Sequence, residues 1–203
     1  DIPTAGVCVN PKTAQFELLY NPEFFAGLTS AEMKDVLKHE FYHIVFLHVT
    51  SRMPASCDGN RKMAKLWNYA TDLAINSHLD NLPDIGVLKP GSAPFEDLPP
   101  HMSSEWYFKK LLDGLPESDE DSDKPGEDGD GLGTLDDHEG WGKASEEAKE
   151  VARERVRSMV QAAAEEAAAA NSWGSISATC RDEILKGLKG AIDWKKVLRY
   201  FVK

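Results

Sequence analysis

Residues 39–48 read HEFYHIVFLH, three histidines and one glutamate in ten positions. Imidazoles and a carboxylate at this density can hold a divalent metal and move a proton. On a helix, His39 and His43 differ by about 40° in direction and lie one above the other on one face. Two imidazoles placed that way can share one Zn2+. Glu40 points about 100° away from His39, beside the metal without being forced onto it. That suits a general base acting on zinc-bound water. A chance H-E-x-x-H is the competing explanation, and the helical context of the motif argues against it.

His48 is a poor third ligand by the same geometry. Metzincins place a third histidine ten residues after the first, with a glycine that lets the chain turn back. Here the interval is nine, and IVFLH holds no glycine. If the helix continues, His48 points about 180° from His39. It then reads as a hydrogen-bonded structural histidine on the opposite side.

A better third ligand lies in WNYATDLAIN, residues 67–76. Asn68, Asp72 and Asn76 fall at i, i+4 and i+8, a polar stripe on a helix that is otherwise apolar nearly all round and therefore buried. A buried carboxylate is costly unless paired or metal-bound. Asp72 can complete a His, His, Asp set and leave the fourth position to water. Pairing of Asp72 with Arg61 or another cation is the alternative. Asn68 and Asn76 read as partners of the ligands or as helix-packing groups.

The elements that must position these residues are legible at low resolution. GVCVNPKTAQFELLYN reads as a hairpin about an Asn-Pro turn. LTSAEMKDVLKHEFYHIVFLHVTSRM reads as one long helix, started by a Thr29/Glu32 capping box and stopped by Pro54. A second helix is expected near residues 60–79, a short one from Ser104, and an Ala-rich one from Ser145. Two more follow, near residues 177–188 and after Asp193 as N-cap. The expectation is a predominantly helical α+β fold. Its small N-terminal sheet packs on the active-site helix, and a second helix brings the further ligand.

The net charge of −11 is concentrated in one segment. Residues 117–139 hold eleven acids and one lysine, leaving −1 for the other 180 residues. The stretch 117–140 reads as a flexible acidic insert. As an EF-hand it fails, because Gly126 stands where the first ligand belongs. With no basic stripe, nucleic-acid binding has little support. No apolar run reaches the length of a membrane span. The three cysteines, Cys8, Cys57 and Cys180, form no C-x-x-C pair, which favours a reducing cytoplasm over a disulfide framework. The start DIPTAGVCVN has neither a secretory pattern nor an initiator Met, and reads as part of a longer product.

Taken together, IPTAGV, LLYNPEFF, VLKHEFYHIVFLH, WNYATDLAIN, EWYFKKLL, DDHEGW and IDWKKVLRYF resemble the metallopeptidase domain of bacteria and phages that usually precedes a von Willebrand factor A-like domain. The pieces run from Ile2 to Phe201. The resemblance implies a single zincin-like domain over 1–203, with its C-terminal partner domain absent, in the cytoplasm of a bacterial or phage-infected cell. It implies His39, His43 and Asp72 on zinc, and Glu40 as base. His138 of DDHEGW would act as an electrophile toward the oxyanion, with Tyr42 and Tyr107 as weaker candidates.

The function expected is a zinc-dependent endopeptidase acting on a protein or peptide, with self-processing open to it. The strand QFELLYN, through Phe16, Leu18 and Tyr20, could offer an edge to an extended peptide. Peptide deformylases and H-x-x-x-H-x-x-x-x-x-H nucleases fit less well: Cys57 lies in no ligand motif, and the third-histidine interval is one residue short. The alternative from another class is a catalytically silent, zinc-stabilised interaction module working with a von Willebrand A-like domain and an ATPase.

Overall fold

The computed structural model describes residues 2–115, 138–174, 176–190 and 192–202. It is predominantly helical, with one small antiparallel hairpin at the N-terminus, an α+β architecture. Most of the acidic stretch, including the EF-hand-like positions, lies outside the described residues. The chain divides into two compact units, residues 1–53 with 136–203, and residues 54–135.

In the first unit, β1 (Ala5–Val9) pairs with β2 (Phe16–Tyr20), Val7 opposite Leu18. The turn between them is built on Asn10, whose Oδ1 accepts from the backbone N–H of Lys12 and Thr13. This is the Asx-type turn expected where Asn precedes Pro. The alternate residues Ala5, Val7 and Val9 of β1 are buried. Bonds from Asn10 N to Gln15 O and from Asn21 N to Thr4 O set the parity of the ladder. By that parity Glu17 and Leu19 bond to β1, and the backbone groups of Phe16, Leu18 and Tyr20 face the other edge.

A short helix, α1 (Pro22–Ala26), leads into α2 (Ser30–Val45). Thr29 and Glu32 form the expected capping box. The end of α2 differs from the expectation. The helix stops at Val45, well before Pro54. Leu47 adopts φ 64°, a left-handed conformation that costs an L-residue about 1–2 kcal/mol. The cost is offset by packing. Phe46, Leu47 and Val49 are buried. The N–H groups of Ser51 and Arg52 close onto Leu47 O at 3.0 and 3.2 Å.

The outward face of α2 carries large apolar residues, and its inward face carries ionisable ones. Leu37 and Phe41 are 41% and 57% exposed, whereas His39, Glu40 and His43 are at most 2% exposed. Burying two histidines and a glutamate side by side is costly unless they serve a site.

Three further helices belong to this unit: α5 (Glu146–Ala169), α6 (Ala178–Gly187) and α7 (Trp194–Phe201), the labels α3 and α4 being kept for the second unit. Ser145, Ser177 and Asp193 cap their N-termini. α5 packs on α2, β1 and α7, and its buried Glu150 accepts the backbone N–H of Asp193. α6 backs the loop after α2: Leu47 Cδ1 approaches the Cβ position of Gly187 to 3.4 Å, and Glu183 pairs with Arg52.

The second unit is organised by α3 (Arg61–Asn76), capped by Asn60, which packs against α4 (Ser104–Asp113), capped by Ser103. Trp67, Leu73 and Ile75 are fully buried, and Trp67 meets Phe108 edge to face at 5.6 Å. The Tyr107 hydroxyl donates to Pro99 O, and the Asn76 amide donates to Leu88 O, tying the intervening loop to the helices.

Candidate metal centre

The site begins with the His39–His43 pair. Their Nε2 atoms lie 3.0 Å apart, and both side chains are fully buried. Two imidazole nitrogens bound to one tetrahedral zinc at about 2.05 Å stand ~3.3 Å apart. The observed separation is within a few tenths of an ångström of that. Helix spacing alone explains it, since residues four apart are neighbours on one face.

Asp72 is 1% exposed and sits in the second-last turn of α3 (Arg61–Asn76). Arg61 opens the same helix and is exposed, roughly 16 Å away along the axis, too far to be its ion-pair partner. His39, His43 and Asp72 form a group that could hold a metal ion: each offers one ligand atom, and these atoms all lie within 4.8 Å of one another. Two imidazoles and one carboxylate with a position left over fit a catalytic zinc.

His43 is the hub of the surrounding side chains. Its ring meets those of His39, His48, His138 and Trp141, with centroids 4.7, 5.3, 5.0 and 5.1 Å away. The contact with His48 follows from the early end of α2. An uninterrupted helix would turn His48 to the opposite side. The left-handed Leu47 instead folds His48 back until its Nδ1 lies 3.2 Å from His43 Nδ1.

His138 reaches the site on a 3-10 turn, residues 138–140, which packs on β1. It is 8% exposed, its ring against His43 and Trp141. Trp141 was not singled out from the sequence. Its indole N–H donates to Val7 O at 2.9 Å, on the edge of β1 that faces away from β2. Gly140 makes this approach feasible, because a Cβ there would lie 2.7 Å from Cys8 Cβ. A glycine directly before Trp and two residues after His in HEGW was the signal available in the sequence.

The other candidates lie elsewhere. The Tyr42 hydroxyl meets the Cys180 thiol, and burial, then Cys180, drives its pKa well above the usual tyrosine value. Tyr107 is engaged by Pro99 in the second unit. Asn76 serves the Leu88 loop, and Asn68 is half-buried two turns before it.

A family model described as "Putative metallopeptidase domain" matches residues 5–203. The chain belongs to this family. No curated protein and no solved structure matches it. Among the described residues, no helix is long and apolar enough to cross a membrane. The family match spans both α2 and the helix carrying Asp72, so the group that could hold a metal lies within the matched residues.

Proposed function

We propose that the chain is a zinc-dependent endopeptidase. The observation that carries the reading is the convergence of His39, His43 and Asp72, buried, with Glu40 one residue from the first ligand. When bound, zinc polarises a peptide carbonyl and lowers the pKa of a water toward neutrality. Glu40, 2% exposed and next to His39 in α2, takes the water proton and passes it to the leaving amine. His138, lodged against His43, donates toward the developing oxyanion.

The outer edge of β2, which pairs with no strand among the described residues, supports a peptide substrate. The backbone groups of Phe16, Leu18 and Tyr20 face away from β1, and Leu18 and Tyr20 are 42% and 53% exposed. An extended peptide adds to such an edge through main-chain bonds, with alternate side chains reading the surface.

Glu40→Gln tests the mechanism. The amide keeps the shape and loses the base, so the variant should retain zinc and lose cleavage, by a factor of about 10²–10⁴ or more. Cleavage at the wild-type rate would show that Glu40 is not the base.

A further inference from the structure

We infer that His48 is the positioning residue of the metal centre, fixing which nitrogen of His43 is free to bind. The inference rests on the zinc reading and adds a residue that neither the motif nor the ligand group contains. Both rings are buried, His43 at 0% and His48 at 1% exposure. Their Nδ1 atoms lie 3.2 Å apart, while His43 Nε2 faces His39 Nε2 at 3.0 Å. A neutral imidazole carries one ring proton, and the nitrogen that binds a metal must be bare. His43 Nε2 is the nitrogen beside His39, so its proton belongs on Nδ1. At 3.2 Å two N–H groups cannot face each other, so His48 Nδ1 is bare and accepts that proton, which puts the His48 proton on its Nε2. The pair therefore has one arrangement compatible with a metal, set by the contact itself. Partners of ligating histidines commonly act in this way, orienting the ring and raising its basicity.

The backbone is built to hold His48 there. Leu47 takes its left-handed φ of 64°, His48 N bonds back to His43 O at 3.0 Å, and the Arg52 guanidinium donates to Phe46 O. Arg52 is in turn anchored to Glu183 of α6. A continuing helix would have been locally simpler and would have removed the contact.

The test uses the full chain and three proteins: wild type, His48→Phe and His48→Asn. Phenylalanine fills the space without an acceptor, whereas the Asn Oδ1 occupies nearly the place of the histidine Nδ1 and can accept. Zinc affinity is read by competition with a chromogenic chelator, and the His43 ring proton by 15N-resolved NMR of the zinc-loaded chain. His48→Phe should bind zinc about 10- to 100-fold more weakly. His48→Asn should stay within roughly threefold of wild type and keep the proton on His43 Nδ1. Undiminished affinity in His48→Phe overturns the inference. So does an equal loss in both variants, which would mean that ring packing alone matters. If His48→Phe does not fold, His48→Asn decides: a His43 proton moved to Nε2 refutes the inference. A wild-type chain that takes up no zinc fails the metal reading itself, a different outcome from intact zinc binding in His48→Phe.

Discussion

A single methyl group added at Gly140 should loosen the metal centre from a distance. The Cβ of Gly140→Ala would stand 2.7 Å from Cys8 Cβ and 3.5 Å from its sulfur. Carbon atoms pack at about 3.5–4.0 Å, so something must yield by roughly 1 Å. β1 is poorly placed to yield, being paired to β2 along its length on one side and held by the Trp141 indole at Val7 O on the other. The 138–141 turn moves instead, drawing His138 and Trp141 away from the His43 ring. Overpacking of this kind costs about 1–3 kcal/mol. For a chain of this size each kcal/mol lowers Tm by about 2–4 °C, so a loss of ~2–12 °C is expected in a calorimetric scan. Zinc affinity should fall with it. Cys8→Gly removes the opposing Cβ and should restore part of the loss when combined with Gly140→Ala, whereas Cys8→Ala keeps that atom and should not. An unchanged Tm for Gly140→Ala would refute the reasoning, and so would equal rescue by Cys8→Ala.

Thr29→Ala removes the cap of α2 and should destabilise the fold by about 0.5–2 kcal/mol, measured by urea denaturation at neutral pH. The side-chain and backbone hydrogen bonds at Thr29 hold the Glu32 carboxyl below its ordinary value of 4.5. The stabilisation from that linkage is therefore present above that pH and is lost as pH falls through the lower folded value. The gap between wild type and Thr29→Ala should accordingly narrow in acid, and a gap that widens would contradict the assignment. Tyr107→Phe leaves Pro99 O without its 2.7 Å donor and should cost about 1–3 kcal/mol, with faster amide exchange in the loop before α4 as the readout. Unchanged exchange there would show that the hydroxyl is not what holds the loop.

What the sequence revealed about the site was local. The capping residues Thr29 and Asp193 act within one helical turn, and the structure has them where the sequence put them. The side-by-side placement of His39 and His43 needs only the helical period. The end of α2 was not legible, because nothing in IVFLH forbids a helix. The turn at Leu47 is enforced by α6, more than a hundred residues away in sequence, through Gly187 and the Arg52–Glu183 pair. That tertiary override also reversed the direction of His48. His138 entered through family resemblance alone, and Trp141 was missed, because their approach to His43 depends on the 3-10 turn packing against β1.

The most direct test of the account is digestion of a peptide library by the zinc-loaded wild-type chain, with the bound zinc quantified in the same sample. The account expects cleavage with one zinc per chain, abolished by a chelator and restored by added zinc. One tightly bound zinc per chain with no cleavage of any peptide would contradict it and leave a metal-stabilised interaction module in its place.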